Sequence, residues 1–184
     1  MEKNNEATGY IKKVVIIGPE CTGKTTLAQV LAQHYNTAWV PEYAREYIDS
    51  LDRPYKEEDL LAIADGQVMG ENNGVRTANK VLICDTDLLV IKIWQEHKYG
   101  KCYQEILDRI KASRYDLYLL TYIDVPWEND PQRENPGLRR FFFDLFKREL
   151  EVRGLKFIEL RGGLSKRSQA AIKAIDQLFE PGHH

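Results

Sequence analysis

The chain has no hydrophobic run long enough to span a bilayer and no apolar N-terminal core, so neither a membrane helix nor a secretory signal is expected. Cysteine is scarce. Cys21, Cys84 and Cys102 lie far apart without C-x-x-C spacing, which argues against a disulfide framework and a zinc site; reduced thiols in a cytoplasmic protein are the expectation. An excess of either charge is also lacking: the net charge is −2, and no basic stretch interleaves with aromatics, so nucleic acid is not an expected partner. No internal repeat or low-complexity tract occurs. His183 and His184 read as a purification-tag remnant and are set aside.

The 184 residues, 43% hydrophobic and 29% charged, suit one soluble domain with a proper core. A flexible leader is expected over 1–10 and a single domain over 11–182. The chain is organised around Ile11 to Leu27, IKKVVIIGPECTGKTTL. Val14 to Ile17 is a β-branched run that predicts a buried strand. It breaks into Gly18-Pro19-Glu20-Cys21-Thr22-Gly23-Lys24-Thr25, the G-x-x-x-x-G-K-[ST] phosphate-binding pattern, and Thr26 continues into a helix. The glycines permit close backbone approach, and the loop N–H groups form a nest for anionic oxygens. Lys24 supplies a cation for β- and γ-phosphates, Thr25 a hydroxyl for Mg²⁺, and the helix its positive end. A nucleoside triphosphate, ATP with Mg²⁺, is the expected ligand. Cys21 stands inside this loop, either as a thiol acidified by local positive potential or as a small residue at a variable position.

Strands and helices then alternate. Strands are expected near 37–40, 80–84, 115–123 and 155–160. Helices are expected near 42–51, 56–78, 88–97, 103–111, 138–152 and 168–179, with Gly66, Gly70 and Gly74 weakening the second. That order predicts a three-layer α/β domain whose mostly parallel sheet has about five strands. Ligands in such sheets sit outside the carboxyl ends of the strands. There the sequence places Glu42, then Asp85-Thr86-Asp87, then Asp124.

Asp85 is a candidate Mg²⁺ carboxylate, or else a helix N-cap; Asp87 caps the same helix or reaches a sugar hydroxyl. Glu42 is a candidate to accept a proton from an attacking hydroxyl, or a first-turn helix acid. Arg45 pairs with Glu42 or contacts substrate. Residues 126–140, PWENDPQRENPGLRR, read as a lid whose Arg133, Arg139 and Arg140 close over transferring phosphate. Trp127 and Tyr43 either stack on a flat substrate group or pack internally.

GPECTGKTTL, PEYAREYI, Gly66-Gln67 with Glu71, CDTDLL, and DVPW followed by Asp130, Arg133 and Arg139 resemble, in order and spacing, the ribosylnicotinamide kinases. The resemblance covers about residues 11–180 and is to the kinase domain of the bifunctional proteins that add a nicotinamide mononucleotide adenylyltransferase. It implies ATP and Mg²⁺ at Gly18 to Thr26, metal at Asp85, riboside near Glu42, Tyr43, Asp87 and Trp127, and lid roles for Arg133 and Arg139. It also implies adenine near Gly162 to Arg167. The sequence departs from the family where it reads D-P-Q-R in the lid and GGLSKR in the adenine loop, both facing substrate. Transfer to the 5′-hydroxyl of nicotinamide riboside is the expected reaction, with Glu42 or Asp87 orienting the hydroxyl. A kinase for another nucleoside or polyol, or a nucleotide-dependent ATPase switch, is the alternative. Oligomeric state is not legible.

Overall fold

In the computed structural model, residues 10–133 and 137–180 are described. The expected leader, except its last residue, the centre of the expected lid (134–136) and the terminal histidines lie outside them. The elements are β1 (Lys12–Ile17), α1 (Lys24–Tyr35), β2 (Trp39–Val40), α2 (Tyr43–Asp49), α3 (Asp59–Thr77), β3 (Val81–Asp85), α4 (Leu88–Tyr99), α5 (Gln104–Ala112), β4 (Leu117–Thr121), α6 (Arg139–Val152), β5 (Phe157–Leu160) and α7 (Leu164–Asp176).

The five strands order as β2-β3-β1-β4-β5, and every pairing is parallel. β1 runs down the middle, with Ile16 beside Asp85 on β3 and Ile17 beside Leu120 on β4. Because side chains alternate across a strand, Val14 and Ile16 face one layer while Val15 and Ile17 face the other, and all four are fully buried. Val14 and Ile16 pack with Leu27 and Leu31 of α1 and Ala171 and Ile175 of α7. On the opposite face Val15 and Ile17 join Leu89 and Ile93 of α4 and Phe142, Phe146 and Leu150 of α6. A third cluster locks α3, α4 and α5 together through Leu60, Ile63, Leu88 and Ile106. Truncating a buried ring such as Phe146 to alanine costs about 3–5 kcal/mol, a large part of a domain's stability. Among the described residues no helix is long and apolar enough to cross a membrane.

Two expectations needed revision. The glycines do not interrupt α3, which runs unbroken through 19 residues. Tertiary packing outweighs their low propensity: a Cβ on Gly66 would lie 1.9 Å from the Tyr43 ring, so the missing side chain is what lets α2 dock. The last helix starts at Leu164, four residues earlier than its apolar pattern suggested, so the second half of the expected adenine loop is the first turn of α7.

Candidate functional site

Parallel strands bring their carboxyl ends to one edge, and strand order decides what meets there. β1 feeds the phosphate loop. Its neighbour β3 delivers Asp85, roughly 5 Å across at ordinary strand spacing, and β2 delivers Glu42 about one spacing further. β4, on the other side, delivers Thr121.

The loop is pinned from below. Gly18 has φ 148°, and a Cβ there would stand 2.4 Å from Thr121 Oγ1, so only glycine lets β1 pass this close to β4. Thr22 and Thr121 share a hydroxyl hydrogen bond of 2.7 Å, and Thr22 Oγ1 also donates to the Pro19 carbonyl. Lys24 Nζ folds back on the carbonyls of Gly18 (3.1 Å) and Pro19 (2.8 Å), poised over its own loop.

Thr25 donates its hydroxyl to Asp85 Oδ2 at 2.5 Å, while Asp85 Oδ1 is buried with no hydrogen-bond partner. Burial raises the Asp85 carboxyl above its ordinary range, against the pull of Lys24, the Thr25 hydrogen bond and Arg45. Glu42 is raised too, by burial first, with Lys24 and Arg45 opposing and Asp85 adding to the rise. The ionised form of each acid is therefore only partly offset by its surroundings. A site of this kind gains when a cation enters.

A cleft of about 450 Å³ opens over these groups. Gly18 to Thr26 floors it, Glu42 and Arg45 bound one side, and Val90 and Trp94 of α4 with Phe142 and Phe146 of α6 give it an apolar wall. A smaller slot, shared by Glu42, Ala44, Ile48, Val90 and Trp94, continues inward to Gln67 and Thr86. Arg45 reaches Glu42 at 3.7 Å and Asp130 at 3.0 Å, so both pairings confine it to the rim.

The segment 126–133 lies against the phosphate loop. Cys21 Sγ accepts the Glu128 N–H (3.0 Å) and an Arg133 N–H (3.2 Å) and donates to the Pro126 carbonyl. Arg139 donates to the carbonyls of Cys21 and Val125. Arg140 does not join them; it pairs with Asp144 and Tyr122 on the exposed side of α6.

Three residues assigned to the substrate stand elsewhere. Asp87 is 2% exposed, absent from the cleft lining, and both its oxygens are taken: Oδ1 accepts the Leu89 N–H and caps α4, and Oδ2 accepts the Tyr118 hydroxyl. The cause is the turn at Thr86, φ 71°, which rotates Asp87 away from the edge that Asp85 faces. Tyr43 packs its ring on α3 at Gly66, outside the cleft lining. Trp127 also lies outside that lining; the Arg133 and Arg139 guanidinium carbons stand 5.8 Å from its ring centre. Arg167, assigned to the nucleotide, is 3% exposed and ties the Thr22 carbonyl to the Tyr122 carbonyl and Asp124. It buttresses the loop from behind while lining one end of the cleft.

Sequence reasoning missed the apolar wall and gave Gln67, though part of a motif carrying the resemblance, no role of its own. Val90/Trp94 and Phe142/Phe146 are i,i+4 pairs, so each forms one helix stripe; the helical spacing was visible, the facing of the two stripes was not.

A family model described as an AAA domain matches residues 13–167. The trifunctional NAD biosynthesis/regulator protein NadR of Salmonella typhimurium is 28% identical over 160 residues, 83% of this chain and 38% of its own length. Its Escherichia coli counterpart is 28% identical over 159 residues, with 82% and 38% covered. A crystal structure of NadR protein in complex with NR superposes with a TM-score of 0.74 at 26% identity, covering 91% of this chain and 51% of that one. A second, in complex with NAD and AMP-PNP, gives 0.73 at 27%, covering 95% and 51%. Thymidylate kinase from Ehrlichia chaffeensis, at 12% identity and a TM-score of 0.64 over 91% of this chain and 100% of its own, shares the fold. The chain thus spans well under half the length of the curated relatives and about half of the solved NadR chains.

Proposed function

The chain belongs to the AAA domain family, and from that premise we propose that its cleft transfers the γ-phosphoryl group of ATP to the 5′-hydroxyl of nicotinamide riboside, yielding nicotinamide mononucleotide and ADP. The observation that carries this reading is the convergence of Lys24, Thr25 and Glu42 on one cleft with an apolar aromatic wall, with Asp85 bonded to Thr25 just behind the lining. The wall suits the flat base of a nucleoside and the carboxylate its hydroxyl. The similarity to NadR proteins solved with NR and with AMP-PNP supports the same choice of acceptor and donor.

Mg²⁺ fits the site. Asp85 offers a buried oxygen with no partner, and Thr25 a hydroxyl already turned toward that carboxylate. Two protein ligands are enough for an ion that keeps waters and takes phosphate oxygens as well. Bound there, Mg²⁺ supplies charge neutralisation for the β- and γ-phosphates.

The protein groups divide the rest of the work. Lys24 exchanges the Gly18 and Pro19 carbonyls for phosphate oxygens. Glu42, raised by burial, takes the proton as the 5′-oxygen bonds to phosphorus and the bond to the bridging β–γ oxygen breaks. Arg133 and Arg139, beside the loop at Cys21, stabilise the charge that develops on the leaving ADP. Pro126, Glu128, Gln132 and Arg133 line the cleft beside the phosphate loop and limit loss of the phosphoryl group to water. The setting we propose is NAD salvage in the cytoplasm.

An acceptor screen tests this: initial rates of ADP formation with ATP and Mg²⁺ in the presence of nicotinamide riboside, thymidine, deoxyadenosine and small polyols. Nicotinamide riboside should give the highest kcat/KM. Preference for another nucleoside, or ADP release independent of any acceptor, would replace this reading with a different kinase or an ATPase.

A further inference from the structure

Gln67 is 2% exposed in the middle of α3, yet its amide is used outside its own helix. Its Oε1 accepts the Tyr43 N–H at 3.0 Å, and its Nε2 donates to the Thr86 carbonyl at 3.5 Å. Those partners are the immediate neighbours of the two carboxylates the site uses, since Tyr43 follows Glu42, which lines the cleft, and Thr86 follows Asp85, which bonds Thr25 behind it. The side chain also lines the inner slot together with Glu42 and Thr86.

The Thr86 N–H is already held by the Ile16 carbonyl at 2.9 Å, so Gln67 adds the bond to its carbonyl side, whereas at Tyr43 it supplies the acceptor for the N–H. α2 opens at Tyr43 with no side-chain cap from Glu42, so the Tyr43 N–H is a first-turn donor with no helical acceptor. Thr86 stands at φ 71°, a conformation disfavoured for a β-branched residue and kept only when its surroundings impose it. The α2–α3 contact that brings Gln67 to Tyr43 depends in turn on the bare backbone of Gly66 under the Tyr43 ring.

We propose that Gln67 is a positioning residue for the transfer reaction: one planar amide sets the distance between the hydroxyl-facing Glu42 and the Asp85 that would hold the metal. The inference rests on the kinase reading above. Glutamine suits the task because the span needs an acceptor at one end and a donor at the other. An ionised glutamate keeps the first bond and sets a carboxylate against the Thr86 carbonyl; a protonated one restores the donor. Methionine keeps the length and loses both bonds.

The test compares the full chain with Q67M and Q67E, by initial rates with ATP, Mg²⁺ and nicotinamide riboside between pH 5.5 and 8.5, and by residue-resolved amide hydrogen exchange. Q67M should lose about tenfold or more in kcat with the ATP KM within about twofold, because a displaced carboxylate spoils alignment and leaves the phosphate loop intact. Q67E should be impaired as strongly at pH 8.5 and recover relative to wild type as pH falls. The Tyr43 amide should exchange at least about tenfold faster in Q67M while the β1 amides stay unchanged. Unchanged Tyr43 exchange overturns the clamp. Equal losses in kcat, ATP affinity and β1 protection reduce Gln67 to a packing residue. Failure of the kinase reading shows separately, as wild-type protein that leaves nicotinamide riboside untouched; Tyr43 exchange then decides whether the clamp exists, and the absence of transfer rejects its role in one.

Discussion

The Thr25 hydroxyl donates to Asp85 Oδ2 at 2.5 Å across 60 positions of sequence, and the second oxygen of that carboxylate is left buried without a partner. A lone buried oxygen next to a phosphate-loop threonine is what a divalent cation would satisfy. D85N should therefore raise the Mg²⁺ concentration needed for half-maximal activity by about 10–100-fold, the usual effect of weakening a metal's supporting oxygens. A magnesium titration at fixed ATP checks this. The same variant should lose most of the magnesium-dependent part of the thermal shift produced by AMP-PNP.

Glu42 gives a pH signature. Burial leads the rise of its carboxyl above the ordinary range. A base works only when deprotonated, so wild-type kcat should fall as pH drops through a value above that of a free glutamate. E42Q should lower kcat by about 10²–10⁴-fold and abolish that inflection. A kcat–pH profile at saturating substrates shows both, and an unchanged inflection in E42Q would take the base role from this residue.

Asp87 should instead govern stability. Its carboxyl is pushed up to about 7, by burial first, against the Tyr118 hydrogen bond that favours the charge. In the unfolded chain it ionises near 4, so between those values only the folded state holds the proton. Its contribution therefore erodes as pH rises from about 4 to about 7 and stays lost above. Asparagine still caps α4 and carries no charge. D87N should match wild type near pH 5.5 and gain on it by roughly 2 kcal/mol, or about 5 °C in Tm, at pH 8. Thermal unfolding of both proteins across that range measures the difference directly; parallel curves would contradict it.

How much of this was readable before any coordinates follows from what each residue depends on. The phosphate loop was legible because its chemistry is written in eight consecutive residues with a strand before and a helix after. Glu42 and Asp85 were legible through one geometric rule, that parallel strands deliver their carboxyl ends to a shared edge. Asp85 and Asp87 were given different roles, but whether Asp87 caps the helix or reaches a sugar stayed open, because the turn at left-handed Thr86 and the Tyr118 partner, 31 positions away, are not written locally. The buttressing bonds of Arg167 were hidden for a related reason. Its salt bridge to Asp124 and its hold on Thr22 join segments 43 and 145 positions apart, and loop-like GGLS gave no sign that a helix begins within it.

Trp127 illustrates a changed expectation. With Arg133 and Arg139 both 5.8 Å from its ring and no place in the cleft lining, it supports the arginines. Such cation–π contacts are worth about 0.5–1 kcal/mol each at a partly exposed site. W127A should reduce kcat by about threefold to tenfold and change the KM of the acceptor little. A large, selective rise in acceptor KM would restore the stacking role.

The most direct test of phosphoryl transfer in this cleft is product analysis by ³¹P NMR and mass spectrometry after incubating the purified chain with ATP, Mg²⁺ and nicotinamide riboside, alongside K24A. The expected result is nicotinamide mononucleotide and ADP in equal amounts, with the phosphate on the 5′-oxygen, and no product from K24A. ADP accompanied only by inorganic phosphate, or mononucleotide formed equally well by K24A, would contradict it.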